Sequence, residues 1–264
     1  KNYSLVAGAL DTGPAMGSIF FDYDKDGDLD LYLVHDGNIP NLLYQNDGKG
    51  IFTEVGQAAN VNTKSFGMGV DVGDVNNDGW LDIYITNFGP NYLLLNNRDG
   101  TFTEISKSAE VNHPGMGWGM NFIDFDNDGL IDIYVANDTD FSGGFQPNVL
   151  YRNNGDLTFS RAEINGAICN EMSSYGTAYS DYNLDGNLDI LVVNREEGEG
   201  VSLYQNAERG NNWLGLKLIG TKSNQNAIGT KITMMDNLGK LHYKELLAGN
   251  SWESQSSQLL NFGL

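Results

Sequence analysis

Apolar and polar positions alternate along this chain in short runs rather than in long helical periods. LDLYLV (29–34), LDIYIT (81–86), IDIYVA (131–136) and LDILVV (188–193) are rich in β-branched and aromatic residues and are bounded by Asp, Asn and Gly. Such runs predict strands, and no sustained 3.6-residue periodicity competes with them. The runs belong to a larger unit. A preceding strand carries Gly17, Gly69, Gly119 or Gly176, five residues before an aspartate. A polar loop leads into the run, and a variable connection leads to a third strand: NLLYQN, NYLLLNN, NVLYRNN or VSLYQN. A short turn then precedes IFTEV, TFTEI or TFSRA. Glycine at a fixed strand position predicts close backbone approach there.

Four short antiparallel strands in each recurring unit predict blades, so the expected fold class is all-β: a β-propeller with a β-rich C-terminal module. The fourth unit breaks off after VSLYQN. Beyond it WLGLKLIG, GTKITMM and LHYKELL still alternate but carry no polar loop. The expected division is blades over 1–206 and a separate, truncated β module over 207–264. Residues 1–12 are expected to form an outer strand of a blade completed elsewhere.

The polar loop is the same each time: D-x-[DN]-x-D-G-x-x-D, with first aspartates 52, 50 and 57 residues apart. Positions 1, 3, 5 and 9 offer side-chain oxygens. These are Asp22, Asp24, Asp26 and Asp30; Asp74, Asn76, Asp78 and Asp82; Asp124, Asp126, Asp128 and Asp132; and Asp181, Asn183, Asp185 and Asp189. Position 7 varies (Asp28, Trp80, Leu130, Asn187), as expected if it contributes only a backbone carbonyl. A hard cation with six to eight oxygen ligands suits this set, and about four Ca²⁺ ions are expected. Magnesium suits it less, because it demands tight octahedral geometry. Asp, Asn and Gly also dominate ordinary turns. Four loops that keep every ligand position argue for a shared cation instead. An EF-hand is excluded by the strands that follow each loop and by Leu33, Ile85, Val135 or Val192 where its bidentate Glu belongs.

Charge fits that reading. The net charge is −20, and the loops' ligand positions hold 14 of the 35 acidic residues. Four Ca²⁺ would bring the charge to −12. Such acidity argues against nucleic acid or an anionic membrane as partner. A single cysteine, Cys169, excludes an intrachain disulfide and reads as a buried structural thiol. Calcium modules of low affinity work where calcium is millimolar, which favours an extracellular, surface or periplasmic location. A chain beginning at Lys1, with no long apolar run, is expected to be a mature or trimmed product.

The four loops with their flanking strands resemble FG-GAP/VCBS repeats, the calcium-binding blades also seen in integrin α-subunit propellers. The tail resembles the ASPIC/UnbV module through WLGLKLIG, SNQNAIGTKI and GNSWESQSS followed by NFGL. The resemblance implies a calcium-binding adhesion or interaction module and no reaction. Propellers of this family commonly have seven blades, so the four here imply either a fragment or a tail that supplies a further blade.

Catalytic signatures are few. His35, His113 and His242 show no metal spacing, and no G-x-S-x-G elbow, P-loop or dinucleotide fingerprint occurs. The glycine-rich GMGWG of 115–119 reads as blade packing. The connection 137–148, with Phe141 and Phe145, is the longest and a candidate binding loop. The function expected is a non-catalytic propeller that binds a protein or glycan partner, without direct membrane insertion. A self-assembling surface-layer or fibre subunit and a carbohydrate-active propeller enzyme are the alternatives.

Overall fold

The computed structural model describes residues 3–138, 144, 146–162, 172–195, 200–207, 211–222 and 224–264. Phe141, Phe145 and Cys169, and the readings attached to them, lie outside these residues. The first blade comprises β1 (Ala15–Phe21), β2 (Asp30–His35), β4 (Leu42–Asn46) and β5 (Phe52–Glu54), with the two-residue β3 (Ile39–Pro40) outside its sheet in the connection between β2 and β4. A two-residue β6 (Lys64–Ser65) pairs with β3, and the second blade then comprises β7 (Gly67–Gly73), β8 (Asp82–Asn87), β9 (Tyr92–Asn96) and β10 (Phe102–Glu104). The third runs β11 (Met116–Ile123), β12 (Asp132–Asp138), β13 (Val149–Asn153), β14 (Phe159–Arg161). The fourth has three strands: β15 (Ser174–Ser180), β16 (Asp189–Asn194), β17 (Val201–Tyr204). Every blade is antiparallel and ordered as the chain runs. The molecule is thus an all-β propeller array.

Neighbouring blades meet through their first strands. A Cβ on Gly17 would lie 2.7 Å from the carbonyl oxygen of Met68, one on Gly69 2.5 Å from that of Trp118, and one on Gly119 2.5 Å from that of Tyr175. Backbone packs on backbone at each junction, and only glycine leaves the room. Gly176 is the exception, with nothing nearer than 3.7 Å. Each first strand also carries an irregularity of pairing beside its glycine, between Ala15 and Gly17, Gly67 and Val70, Gly117 and Met120, or Ser174 and Thr177. One apolar core fills each gap between blades. Tyr32 and Val34 face Val70 and Ile83; Tyr84 and Leu93 face Met120 and Phe122; Tyr134 and Ala136 face Ile190 and Val192. The far face of blade four leaves Leu191, Val193, Val201 and Leu203 exposed.

Two expectations are corrected. The opening segment is not an outer strand. Ser4–Ala7 make one turn of helix, α1, closed by Gly8 in the left-handed conformation (φ 77°). Its sequence resembles the segment after the fourth strand (Val55–Val61), which is likewise closed by turn hydrogen bonds of its own, from the amide of Ala59 to the Val55 carbonyl and from that of Val61 to the Gly56 carbonyl. Nor does the tail add a blade. It forms two separate strand pairs, β18 (Trp213–Leu216) with β21 (Leu260–Gly263) and β19 (Lys231–Met235) with β20 (Leu241–Glu245).

These tail strands pack against the blades, and the GNSWESQSS stretch enters where their first strands converge. Ser251 exchanges backbone hydrogen bonds with Val70, and its Oγ accepts from the amide of Met120 (3.0 Å). The amide of Tyr179 donates to Ser256 Oγ, and Asn250 Nδ2 donates to Asp71. Trp252 packs against Trp118 and Tyr175, with ring centroids 4.9 and 5.9 Å apart. Among the described residues no helix is long and apolar enough to cross a membrane.

Candidate metal centres

Each D-x-[DN]-x-D-G-x-x-D segment links the first strand of its blade to the second. The backbone is the same in all four. Position 4 is left-handed (Lys25 61°, Asn77 54°, Asn127 58°, Leu184 59°), and position 6 is a glycine of positive φ (Gly27, Gly79, Gly129, Gly186). That pair of conformations folds the loop back on its first aspartate. The amide of position 6 donates to the position-1 carboxylate in every loop, at 3.0 Å to Asp22, 2.7 Å to Asp74, 3.1 Å to Asp124 and 2.9 Å to Asp181. The amide of position 7 donates to position 5: Asp28 to Asp26, Trp80 to Asp78, Leu130 to Asp128 and Asn187 to Asp185. Position 7 is therefore held by its backbone whatever its side chain.

Position 9 acts as a clip. One oxygen of Asp30, Asp82, Asp132 and Asp189 accepts from the amide of position 2, at 3.0–3.2 Å. The other accepts from the amide of an asparagine that ends the third strand (Asn46, Asn96, Asn153) or stands two residues beyond it (Asn206). Each carboxylate oxygen keeps a further lone pair. The side chains of the last three reach back to the preceding blade, while Asn46 Nδ2 donates to the Leu29 carbonyl of its own blade. Asn96 Nδ2 donates to the Tyr23 carbonyl (3.0 Å), Asn153 to Val75 (2.8 Å) and Asn206 to Phe125 (2.5 Å). The loops are also joined directly, from Asn77 Nδ2 to the Gly129 carbonyl and from Asn127 Nδ2 to that of Gly186, both 3.0 Å. Loops two, three and four thus form one continuous rim, and Asn96 ties loop one to the second blade beside it.

The donor set fits a hard cation. Ligand oxygens of Asp22, Asp24 and Asp30 lie within 4.8 Å of one another, as do those of Asp124, Asp126 and Asp128. In loops two and four an amide takes third place, and Asn76 and Asn183 Nδ2 each donate 2.8 Å to the position-5 carboxylate. Asp22 Oδ1 and Asp28 Oδ1 are buried with no hydrogen-bond partner, a condition a bound cation relieves. Burial dominates the acidities. It pushes Asp30 up to about 7 and Asp74 and Asp124 to about 6, and it raises Asp82 and Asp132 well above the carboxylate range. Neighbouring loop carboxylates add to the rise in all five. Carboxylates desolvated in like-charged company favour either protons or a divalent ion.

Positive side chains also reach three of the loops. Lys231 Nζ donates to Asp22 Oδ2, Arg98 pairs with Asp78 (2.8 Å), and Arg152 pairs with Asp126 (2.6 Å) and Asp128 (3.4 Å). Sequence reasoning missed these and the asparagine clips. The asparagines were visible as the recurring last residue of the third strand. The basic residues have no fixed place in the repeat and gave no signal. A triplet at Asn137 that matches a glycosylation sequon is unusable, because the side chain is fully buried and donates to the Pro147 carbonyl.

The family model for the FG-GAP-like repeat matches three overlapping stretches, residues 22–85, 74–135 and 124–192. This chain belongs to the FG-GAP-like repeat family. Each FG-GAP match runs from the first aspartate of one loop to the second strand of the next blade, so the family unit spans a blade junction. An ASPIC and UnbV model matches residues 220–264. Curated proteins give no match. Among solved structures, the repeat array is similar to an Agrocybe aegerita lectin described as recognising non-reducing terminal N-acetylglucosamine. The two share 18% identity at a TM-score of 0.47, over 91% of this chain and 62% of that one. It is also similar to the V. cholerae biofilm matrix protein Bap1 (15%, 0.42, 88% and 45%) and to a Photorhabdus luminescens Tc holotoxin pore (14%, 0.37, 70% and 8%).

Proposed function

We propose that this FG-GAP chain is a calcium-stabilised interaction module that binds a protein or glycan partner outside the cytoplasm and carries no reaction of its own. One observation carries the reading: a carboxylate loop of one conformation recurs four times along a shared rim, with its first and last aspartates buried. Calcium would be held by positions 1, 3, 5 and 9 and would supply charge neutralisation rather than chemistry. Because loops two, three and four are hydrogen-bonded in series and Asn96 ties loop one to the second blade, ordering one orders its neighbours. The non-catalytic part of the reading is supported by the commitment of the loop aspartates and of His35 and His242. The loop aspartates hold backbone amides, His35 contacts Asp11 (2.9 Å) and the Pro40 carbonyl (2.6 Å), and His242 faces Asp236 (3.3 Å). Millimolar calcium outside the cell matches modules of modest affinity.

Calorimetric titration with calcium, paired with thermal unfolding in calcium and in chelator, tests the reading. About four ions bound and a large rise in melting temperature are expected. Each site held at 100 times its dissociation constant would add about 2.7 kcal/mol. No heat and no shift would return the loops to ordinary turns. A glycan and protein-partner screen in calcium and in chelator then tests the interaction role.

A further inference from the structure

Lys231 opens β19 in the tail module, yet its ammonium reaches loop one, where Nζ donates to Asp22 Oδ2. Asp22 is the position-1 carboxylate, and its side chain is 1% exposed. Directly across the β19–β20 hairpin, in register with Lys231, stands Glu245. Side chains opposite each other in an antiparallel pair have Cβ atoms about 5 Å apart, so a lysine there ordinarily pairs with its facing glutamate. Lys231 does not. Both carboxylate oxygens of Glu245 are buried without a hydrogen-bond partner, and the residue is only 6% exposed. Asp22 Oδ1 is buried and unpartnered as well. One ammonium thus stands between two buried carboxylates and serves one oxygen of one of them.

A buried carboxylate without partners is costly, and an ammonium beside a bound divalent cation is repelled. We propose that Lys231 is a built-in competitor for the cation of loop one, and that calcium binding there transfers its ammonium across the hairpin to Glu245. Two unsatisfied carboxylates are relieved together. The β19–β20 hairpin then senses whether the first blade is loaded, which gives the tail a role in setting the calcium affinity of the propeller. The inference rests on the calcium reading above and adds a residue that no ligand pattern contains.

Calcium calorimetry on the full chain tests it with wild type, E245Q, K231M and the K231M/E245Q double variant, each checked for fold by circular dichroism. With Glu245 neutral, the displaced ammonium has no receiver. E245Q should then weaken one of the four sites by on the order of tenfold, the worth of one charged hydrogen bond. In the K231M background the same substitution should leave that affinity unchanged, and D22N should remove the affected site. Four ions bound with E245Q indistinguishable from wild type would overturn the transfer and leave the calcium reading standing. An equal weakening by E245Q with and without Lys231 would overturn it too, since the effect would then be structural. No ion bound by wild type would overturn the calcium reading and the transfer with it.

Discussion

Asn153 shows how much one side chain carries in this repeat. Its amide holds Asp132, its Nδ2 holds the carbonyls of Val75 (2.8 Å) and Ile131 (3.0 Å), and its Oδ1 accepts from Gly155. Replacing it with alanine leaves two buried carbonyls unsatisfied, one in the neighbouring blade. Asn153→Ala should cost about 2–4 kcal/mol in denaturant unfolding, while Asn97→Ala, at an exposed position, should change stability by less than about 0.5 kcal/mol. A near-neutral Asn153→Ala would show the staple to be dispensable. These asparagines stood in plain view at the end of NLLYQN, NYLLLN, NVLYRN and VSLYQN. Taken locally they read as turn residues. The role of three of them appears only once the preceding blade is in place, because Asn96, Asn153 and Asn206 each hold a carbonyl more than seventy positions earlier, whereas Asn46 holds that of Leu29 in its own blade.

At the scale of the element, the loop is where sequence and structure agree most closely. The glycine at position 6 is demanded by a positive φ, and the strand that follows is set by alternation in the next six residues. Legibility failed where a segment borrowed its look from a repeat without its partner, as α1 did. The loops also set the response to pH. Burial raises Asp30 to about 7 and Asp74 and Asp124 to about 6, above the value near 3.9 of an unfolded carboxylate. Between these values the folded chain binds more protons than the unfolded one, so its stability falls as pH rises. In chelator, the melting temperature should therefore drop between about pH 4 and 7. In calcium the charged form is the ligand, so affinity should climb over the same interval and flatten or reverse the drop. Parallel pH series with and without calcium check this, and identical profiles would argue against carboxylate-bound metal.

At the scale of the whole molecule, the repeat and the change at the tail were readable, but their docking was not. The bonds from Ser251 and Asn250 to Met120 and Asp71 span 131 and 179 residues, and no local pattern announces a contact of that range. The same distance has a temporal consequence. During synthesis the blades emerge first, and the seam beside Val70 and Met120 stays open until residues 250–256 arrive to close it. Non-local closure of this kind is slow and leaves apolar surface waiting. Pulse-labelled hydrogen exchange during refolding should find the amides of Val70 and Met120 protected after those inside the strands of the same blades. Simultaneous protection would mean the blades and the seam form in one step. Residues 250–256, made after all four blades, thus cover a seam that the blades alone leave open to aggregation.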